Sequence, residues 1–247
     1  MNLAFHSITY NDKYRFATLH NYGCTFRCAV CSYKLRSGAD GVPGLSFPRP
    51  ERMLTVAEIE KALRSVPLEK VYFMGGEPTV SRELPEILGF VKNELGAKTY
   101  LGHTNGSNLP LPDLDGANVG LKAWDEKVHL SYTGKRKAPI FANFAAAYHA
   151  GLDMKANIVY VPGLVDIDQV ESVAAWLADL DPRVPLHIMG YITVPGQAYR
   201  PPSQEEMSAA IHASKKHLRD VASSLLTPEE ALDLTARDDR FAVRRIA

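Results

Sequence analysis

Cysteine is scarce in this chain: it has three, all within one short segment, C-T-F-R-C-A-V-C. Such a small, odd number excludes a disulfide framework, which needs a larger, even set of cysteines in a short secreted chain. It also leaves no cysteines for a second iron–sulfur cluster. Cys24, Cys28 and Cys31 are therefore either inert buried thiols or ligands of a single metal centre, and their close clustering favours ligands.

Several other features are also absent. Lys plus Arg equals Asp plus Glu, 28 each, so no net charge attracts nucleic acid or an anionic membrane. No apolar run approaches the ~20 residues of a membrane helix, and the N-terminus lacks a secretory signal pattern. We therefore predict a cytoplasmic protein with no membrane partner and no clear nucleic-acid surface.

The cysteines follow a C-x3-C-x2-C spacing. An iron–sulfur cluster is usually held by four cysteine thiolates. Three thiolates leave one iron of a 4Fe–4S cluster with an open coordination position, where substrate chemistry can take place. Zinc would need a fourth ligand, for which His20 and Asp40 are the nearest candidates. A metal-binding scaffold without turnover thus stays open as an alternative.

Strand-like apolar runs alternate with segments of helical periodicity, which predicts βα repeats and a parallel sheet. The predicted strands are residues 16–22, 70–74, 97–103, 117–122, 154–161 and 186–194. Helices are predicted over 139–150 and at the starting signals Thr55/Glu58, Ser81, Asp166/Gln169, Ser203/Glu206 and Thr227-Pro228. We predict an α/β fold, an open partial TIM barrel of (β/α)6 type, in a single domain over 1–247. Its core spans about 15–220, with a short helical extension at 227–247.

Residues 36–50 read R-S-G-A-D-G-V-P-G-L-S-F-P-R-P and are rich in glycine and proline. This composition predicts a loop between the cysteine segment and the next helix. The loop is a candidate lid that excludes water from a reaction, or a plain connector.

Functional residues of α/β barrels collect on the loops that follow the strands. The second predicted strand runs into Gly75-Gly76-Glu77-Pro78, where paired glycines allow close backbone approach and Glu77 offers an acceptor to an ammonium group. Taken alone, this tetrapeptide is typical of a turn. The later strands carry further polar candidates: Thr104, Asn105, Lys122, Asn157 and His187. Each also has a simpler interpretation. Asn105 with Gly106 is a common turn pair, Lys122 is a solvated charge, and His187 is a histidine of the core.

From about residue 15 to residue 196 the chain resembles the radical S-adenosylmethionine (SAM) superfamily. Within it, the chain is most similar to the activating enzymes of glycyl-radical enzymes, such as that of pyruvate formate-lyase. The segments that carry the resemblance are C-T-F-R-C-A-V-C, F-M-G-G-E-P-T, H-T-N-G, G-L-K-A-W-D-E-K-V-H-L-S-Y-T-G, N-I-V-Y-V-P-G-L-V-D and P-L-H-I-M-G-Y.

The resemblance implies an oxidoreductase whose cysteines hold a 4Fe–4S cluster, with SAM bound at its open iron. A one-electron donor of flavodoxin or ferredoxin type would reduce the cluster, and SAM would be cleaved to a 5′-deoxyadenosyl radical that abstracts hydrogen from a substrate. The positions matching the SAM contacts are Gly75, Gly76, Glu77, Thr104, Asn105, Lys122, Asn157 and His187. The substrate would be a protein or peptide, as for an activase. Alternatively, it is a small metabolite or nucleoside precursor, as for 7-carboxy-7-deazaguanine synthase.

The chain departs from the activating-enzyme pattern at several positions. Val30 replaces a common aromatic residue before the third cysteine, for which Phe26 or Tyr33 would substitute. His103 and Gly120 stand where acidic residues usually hold a monovalent cation, and Asn157 replaces a basic residue. The D-G-P-G segment that helps to admit a glycyl loop is missing; residues 12–15 read D-K-Y-R instead.

Overall fold

The computed structural model of the protein describes residues 4–41 and 49–247. Over these residues nine strands form one sheet in the order β8-β7-β6-β5-β4-β3-β2-β1-β9. The strands are β1 (Phe5–Asn11), β2 (Phe16–Asn21), β3 (Lys70–Gly75), β4 (Lys98–Thr104), β5 (Gly116–Gly120), β6 (Asp153–Tyr160), β7 (Leu186–Gly190), β8 (Val221–Ser224) and β9 (Arg244–Arg245).

Helices connect most of the strands. They are α1 (Lys34–Ser37), α2 (Val56–Arg64), α3 (Leu84–Asn93), α4 (Glu126–Thr133), α5 (Lys137–His149), α6 (Ile167–Leu180), α7 (Gln204–Lys215) and α8 (Pro228–Leu232). None of these helices, within the described parts of the chain, is long and apolar enough to cross a bilayer. Of the candidate lid at 36–50, residues 42–48 lie outside the described residues, and α1 extends into its first two positions.

The predicted partial barrel is confirmed, and its six strands are β2 to β7. Each pairs in parallel with the next, and β8 adds a seventh parallel strand. The sequence analysis missed β1 and β9, which extend the sheet in antiparallel fashion beyond β2. It also missed α4. Moreover, β4 and β5 are joined by a loop without a helix, so the βα alternation is less regular than predicted.

The two faces of the sheet differ because side chains alternate along each strand. One face packs on the helices and forms the core, with Leu19, Phe73, Leu101, Val119 and Ile158 at most 1% exposed. Burying one such apolar side chain, instead of leaving it exposed to water, stabilises the fold by about 1.5–3 kcal/mol. The other face carries more polar residues and surrounds the interior of the partial barrel.

One predicted helix start is wrong, and at a second, correctly placed start the predicted side-chain cap is absent. Ser81 does not cap α3, which begins after Glu83; the Ser81 hydroxyl donates to the Glu83 carboxylate instead. A proline in the first turn favours this later start. At α6, the Asp166 side chain accepts from the Gly163 N–H and does not cap the helix. The Gln169 side-chain oxygen accepts from the backbone N–H groups of Trp124 and Asp125. The predicted helix starts at Thr55, Ser203 and Thr227 are confirmed, and each has a capping box.

Candidate functional site

A cavity of about 510 Å³ lies at the carboxyl ends of the parallel strands. This volume falls within the range of roughly 300–1,000 Å³ that is usual for ligand sites. Most of the residues predicted from sequence line it: Cys24, Cys28, Cys31, Gly75, Gly76, Thr104, Asn105, Lys122 and Asn157. Glu77 and His187 do not line it. Topology therefore brings residues of β2 to β6 and their following loops to one space.

The cysteine segment is held by bonds from two other parts of the barrel. The Arg27 N–H donates to the Thr133 carbonyl at the end of α4, with an N–O distance of 2.9 Å. The Cys24 sulfur accepts from the Phe26 N–H at 3.4 Å and from the Asn105 side-chain amide at 3.7 Å. The loop therefore has a defined conformation that places its sulfurs at the cavity wall.

The environment of these thiols disfavours negative charge. Burial raises the pKa of Cys24 to about 11 and that of Cys28 to about 12. Thiolates bind metals, so ligation here requires a cationic group that compensates for the lost solvation. Cationic iron would supply that compensation within the cavity.

The donor set does not suit a single metal ion. Among the described residues, no three Cys, His, Asp or Glu side chains converge closely enough to hold one ion. A zinc site needs its thiolate sulfurs all about 2.3 Å from the same ion. Of the fourth-ligand candidates, His20 lines the cavity but Asp40 does not. All three thiols line the same cavity, and in a multinuclear cluster different irons take different sulfurs.

The paired glycines have a structural role besides the predicted approach to a ligand. A Cβ atom on Gly76 would lie 2.1 Å from the Gly23 carbonyl oxygen, and Gly75 has a φ of +131° beside Asn21. The Glu77 N–H donates to the same Gly23 oxygen at 2.8 Å. Glycine is thus required for the backbone of this loop to press against the cysteine segment, in addition to facing the cavity.

The carboxylate of Glu77 lies behind the cavity wall and is completely buried. It accepts from the Thr104 hydroxyl at 2.8 and 2.9 Å, from the Asn105 N–H at 2.6 Å and from the Thr79 hydroxyl at 2.7 Å. Burial raises its pKa, and these hydrogen bonds oppose the rise. Glu77 therefore orients Thr104 and Asn105, and acts on the cavity through them.

The opposite wall presents isolated side chains from β5 and β6. A Cβ on Gly120 would lie 2.5 Å from the Lys122 amino nitrogen, so the absence of a side chain at Gly120 makes room for this cation. In the described structure Lys122 forms no hydrogen bond or ion pair. Asn157 donates to the Asn118 side-chain oxygen at 2.8 Å. A free ammonium group in a cavity is suited to binding a carboxylate.

A β-bulge in β4 turns His103 toward the same space. Leu101 pairs with Ala117 and Thr104 with Val119, so two residues of β4 face one of β5. His103 lines the cavity, and its side chain is accessible from that space. Its enclosure within the barrel, with the charge of Lys122, lowers its pKa. His187 lies close enough to contribute to that shift. The sequence marked His103 only as a departure from a family pattern; nothing local in it signals the bulge.

Several other residues line the cavity that were not predicted from the sequence to contact a ligand. Phe26 and Tyr33, proposed as substitutes for an aromatic residue at Val30, both line the cavity, as does Val30 itself. The remainder are mostly apolar or aromatic: Met74, Tyr132, Val159, Met189, Tyr191 and Ile192. Their sequence signal is indistinguishable from that of core strand residues, because a cavity wall and a core face have the same alternation.

Fold and site together define an α/β partial-barrel protein whose cavity gathers three thiols at the carboxyl ends of its strands. Residues 18–177, well over half of the chain, match the family described as the Radical SAM superfamily. The chain belongs to this superfamily and is an enzyme. Membership implies SAM and a 4Fe–4S cluster, and the thiol set described above fits such a cluster.

Comparisons with individual proteins are consistent with this family. A protein of Methanocaldococcus jannaschii, provisionally named a glycyl-radical enzyme activating enzyme, is 28% identical over 88% of this chain and 83% of its own length. Streptococcus suis SuiB bound to SAM superposes with a TM-score of 0.61 at 16% identity over 83% of this chain. This chain spans about half of SuiB, 48%. A domain of pyruvate-formate lyase-activating enzyme from Bacteroides vulgatus superposes at 0.51, with 20% identity over 62% of this chain and 98% of that domain. The two structural likenesses show the shared fold.

Proposed function

We propose that this enzyme cleaves SAM reductively and uses the resulting radical to abstract hydrogen from a substrate. When bound, the 4Fe–4S cluster supplies one electron, which converts SAM to methionine and a 5′-deoxyadenosyl radical. The observation that carries the proposal is the cavity itself, where all three cysteines face the Gly75-Gly76 loop and the free amine of Lys122. The remaining roles concern how this chain's own residues bind and orient the two groups.

Cys24, Cys28 and Cys31 hold the cluster as thiolates. The Asn105 side chain donates to the Cys24 sulfur, and the backbone of Arg27 is anchored on α4. These bonds keep the loop in place while iron replaces the thiol protons. Hydrogen bonds to the sulfur also favour its anionic form.

The SAM site extends from the Gly75-Gly76 loop to the opposite wall. Backbone groups of these glycines, with Thr104 and Asn105, face the ligand on one side, and Glu77 keeps Thr104 and Asn105 oriented. On the other side Lys122 pairs with the SAM carboxylate, and Asn157 offers its amide. His103 lines the cavity, and His187 lies on β7 directly opposite Asn157, outside the lining itself.

The substrate is a glycyl position of a protein or peptide, and a one-electron donor protein reduces the cluster. Support comes from the Methanocaldococcus jannaschii relative, whose provisional name specifies activation of a glycyl-radical enzyme. The alternative of a small-molecule substrate is supported by the cavity volume of about 510 Å³, which is in the usual range for small-ligand sites. The position of Asp12–Arg15 in the turn between β1 and β2 gives no further support to the glycyl substrate.

An anaerobic assay tests the proposal. The protein is reconstituted with iron and sulfide, reduced with dithionite and mixed with SAM, and 5′-deoxyadenosine is quantified beside the EPR spectrum of the cluster. We expect deoxyadenosine well above that of a Cys28→Ala control, and an EPR signal that changes when SAM is added. A protein that binds iron but shows neither response contradicts the proposal and favours a metal-binding scaffold.

A further inference from the structure

Three polar side chains beside Cys24 form a closed ring of hydrogen bonds. The ring joins Thr25 of the cysteine segment to Asn105 and Ser107, which follow β4. The Asn105 Nδ2 atom lies 2.8 Å from the Thr25 Oγ1 atom, the two hydroxyl oxygens are 2.9 Å apart, and the Ser107 Oγ atom lies 2.6 Å from the Asn105 Oδ1 atom. Thr25 and Ser107 have no role in the chemistry proposed above.

The backbone fixes which end of the Asn105 amide faces the cysteine. A backbone N–H can only donate, and that of Ser107 donates to the Asn105 Oδ1 atom at 3.0 Å. The oxygen end of the amide is therefore on the Ser107 side. The nitrogen end points to the Thr25 hydroxyl at 2.8 Å and to the Cys24 sulfur at 3.7 Å. The amide donates one hydrogen to each, so both of its hydrogens are engaged.

The donors and acceptors also set the direction of the ring. The Ser107 hydroxyl uses its single hydrogen on the Asn105 oxygen, so the Thr25 hydroxyl is the donor between the two hydroxyls. All three bonds then run in one sense, from Asn105 to Thr25, to Ser107 and back. Hydrogen bonds in such a sequence polarise and strengthen one another. Two donors on the Asn105 oxygen also draw electron density from the amide nitrogen, which makes its N–H toward Cys24 a stronger donor.

Contacts from two other elements hold the ring in place. Asn143 of α5 donates to the carbonyl oxygens of Gly106 and Ser107, both at 2.9 Å. The Asn105 N–H donates to the buried carboxylate of Glu77 at 2.6 Å. Asn105 itself is only 5% exposed, so water has little access to the amide. The amide therefore has a fixed orientation against the sulfur.

We propose that Thr25 and Ser107 are positioning residues, which hold the Asn105 amide on the Cys24 sulfur and thereby raise the reduction potential of the bound 4Fe–4S cluster. The proposal rests on the proposed function, because it concerns the cluster assigned there. Hydrogen bonds to the sulfurs are among the factors that set the potential of such a cluster. They stabilise the reduced cluster more than the oxidised one, because reduction adds one negative charge. Electron transfer from the one-electron donor is then more favourable.

Paired variants separate the loss of a hydroxyl group from a change in side-chain shape. Thr25→Val and Ser107→Ala each remove one hydroxyl of the ring, whereas Thr25→Ser and Ser107→Thr retain it. Ser131→Ala is the matched control. It removes an exposed hydroxyl that donates to the Val128 carbonyl within α4 and is not part of the ring.

The test is a redox titration of each reconstituted protein without SAM, followed through the EPR signal of the reduced cluster. We expect Thr25→Val and Ser107→Ala to shift the midpoint potential to more negative values. The variants that retain the hydroxyl, and Ser131→Ala, should keep the potential of the parent enzyme. An iron chelator should also remove iron about tenfold more readily from the two shifted variants, since partners of metal ligands commonly affect metal affinity by that much.

A potential equal to that of the parent enzyme in both Thr25→Val and Ser107→Ala overturns the proposal, as does an equal shift in Ser131→Ala. Ser107 lies outside the cysteine segment, so its two variants decide the result if Thr25→Val fails to assemble a cluster. Deoxyadenosine formation by the parent enzyme is measured separately and reports on the proposed function. An unchanged potential and a failure to cleave SAM are therefore distinct results.

Discussion

The two walls of the cavity are built in different ways. The wall formed by β2 to β4 is held by main-chain contacts: Gly76 presses on Gly23, and the Arg27 N–H bonds to Thr133. The wall formed by β5 to β7 presents single side chains, such as Asn157 of β6 and Lys122 just after β5. The first wall fixes backbone shape, whereas the second supplies individual functional groups.

This difference predicts different consequences of mutation. A change in the first wall alters a whole loop, because several backbone groups share each contact. A change in the second wall removes one interaction and leaves the surrounding strands paired. Metal content and stability should therefore depend on the first wall, and ligand affinity on the second.

The largest effect is expected from Cys28→Ala. Cys28 is the most buried of the three cysteines at 9% exposure, and its loss leaves two thiols for the cluster. We expect iron content after reconstitution and the absorption of the cluster to fall to background. Circular dichroism of the unreconstituted variant should match that of the parent protein. A variant that retains full iron content would show that the cluster is held elsewhere.

Gly76→Ala is expected to have the next largest effect. The added Cβ would lie 2.1 Å from the Gly23 oxygen. This oxygen belongs to the backbone, which cannot move aside as easily as the end of a flexible side chain. Such overpacking costs about 1–3 kcal/mol of unfolding free energy, and the displaced cysteine loop should also bind less iron. Denaturant unfolding and iron analysis measure the two effects.

Gly89→Ala is the control for this change. A Cβ at Gly89, within α3, meets its nearest atom at 3.5 Å, and alanine is favoured over glycine in a helix by about 1 kcal/mol. We expect unchanged iron content and equal or greater stability. Similar iron losses in both variants would contradict the argument from contact at Gly23.

Lys122→Ala tests the second wall. Loss of a charge-assisted hydrogen bond costs about 1.5–3 kcal/mol, so SAM affinity should fall roughly 10- to 150-fold. Iron content should remain that of the parent enzyme. The exposed Lys127 of α4 supplies a charge-matched control, and Lys127→Ala should bind SAM normally. Unchanged SAM affinity in the Lys122 variant would show that this residue does not pair with the carboxylate.

Gly120→Ala should have the smallest effect. Its Cβ would lie 2.5 Å from the Lys122 nitrogen, but a lysine end can move aside at little cost in stability. We expect a SAM affinity lower by less than about tenfold, with unchanged iron content and unfolding midpoint. A combined Gly120→Ala, Lys122→Ala variant should bind SAM no more weakly than Lys122→Ala alone. Additive losses would indicate that Gly120 contributes independently of the lysine.

Local patterns were sufficient for the strands β2 to β7 and for the cysteine segment. Apolar runs of strand length and capping boxes involve only residues that are close together in the chain, so they can be recognised from the sequence alone. The strands β1 and β9 gave a weaker signal: β1 alternates apolar and polar residues only after the polar pair His6 and Ser7, and β9 has two residues. Such strands form because neighbouring strands offer hydrogen-bonding edges.

The sequence by itself determined that three thiols lie together, because eight consecutive residues cannot separate them far, and that βα units form a parallel sheet. Tertiary structure alone decided that Glu77 lies behind the wall and that the β4 bulge turns His103 inward. Each of these depends on register and close approach between segments distant along the chain. Those relations arise from sheet pairing and packing, which no local pattern encodes.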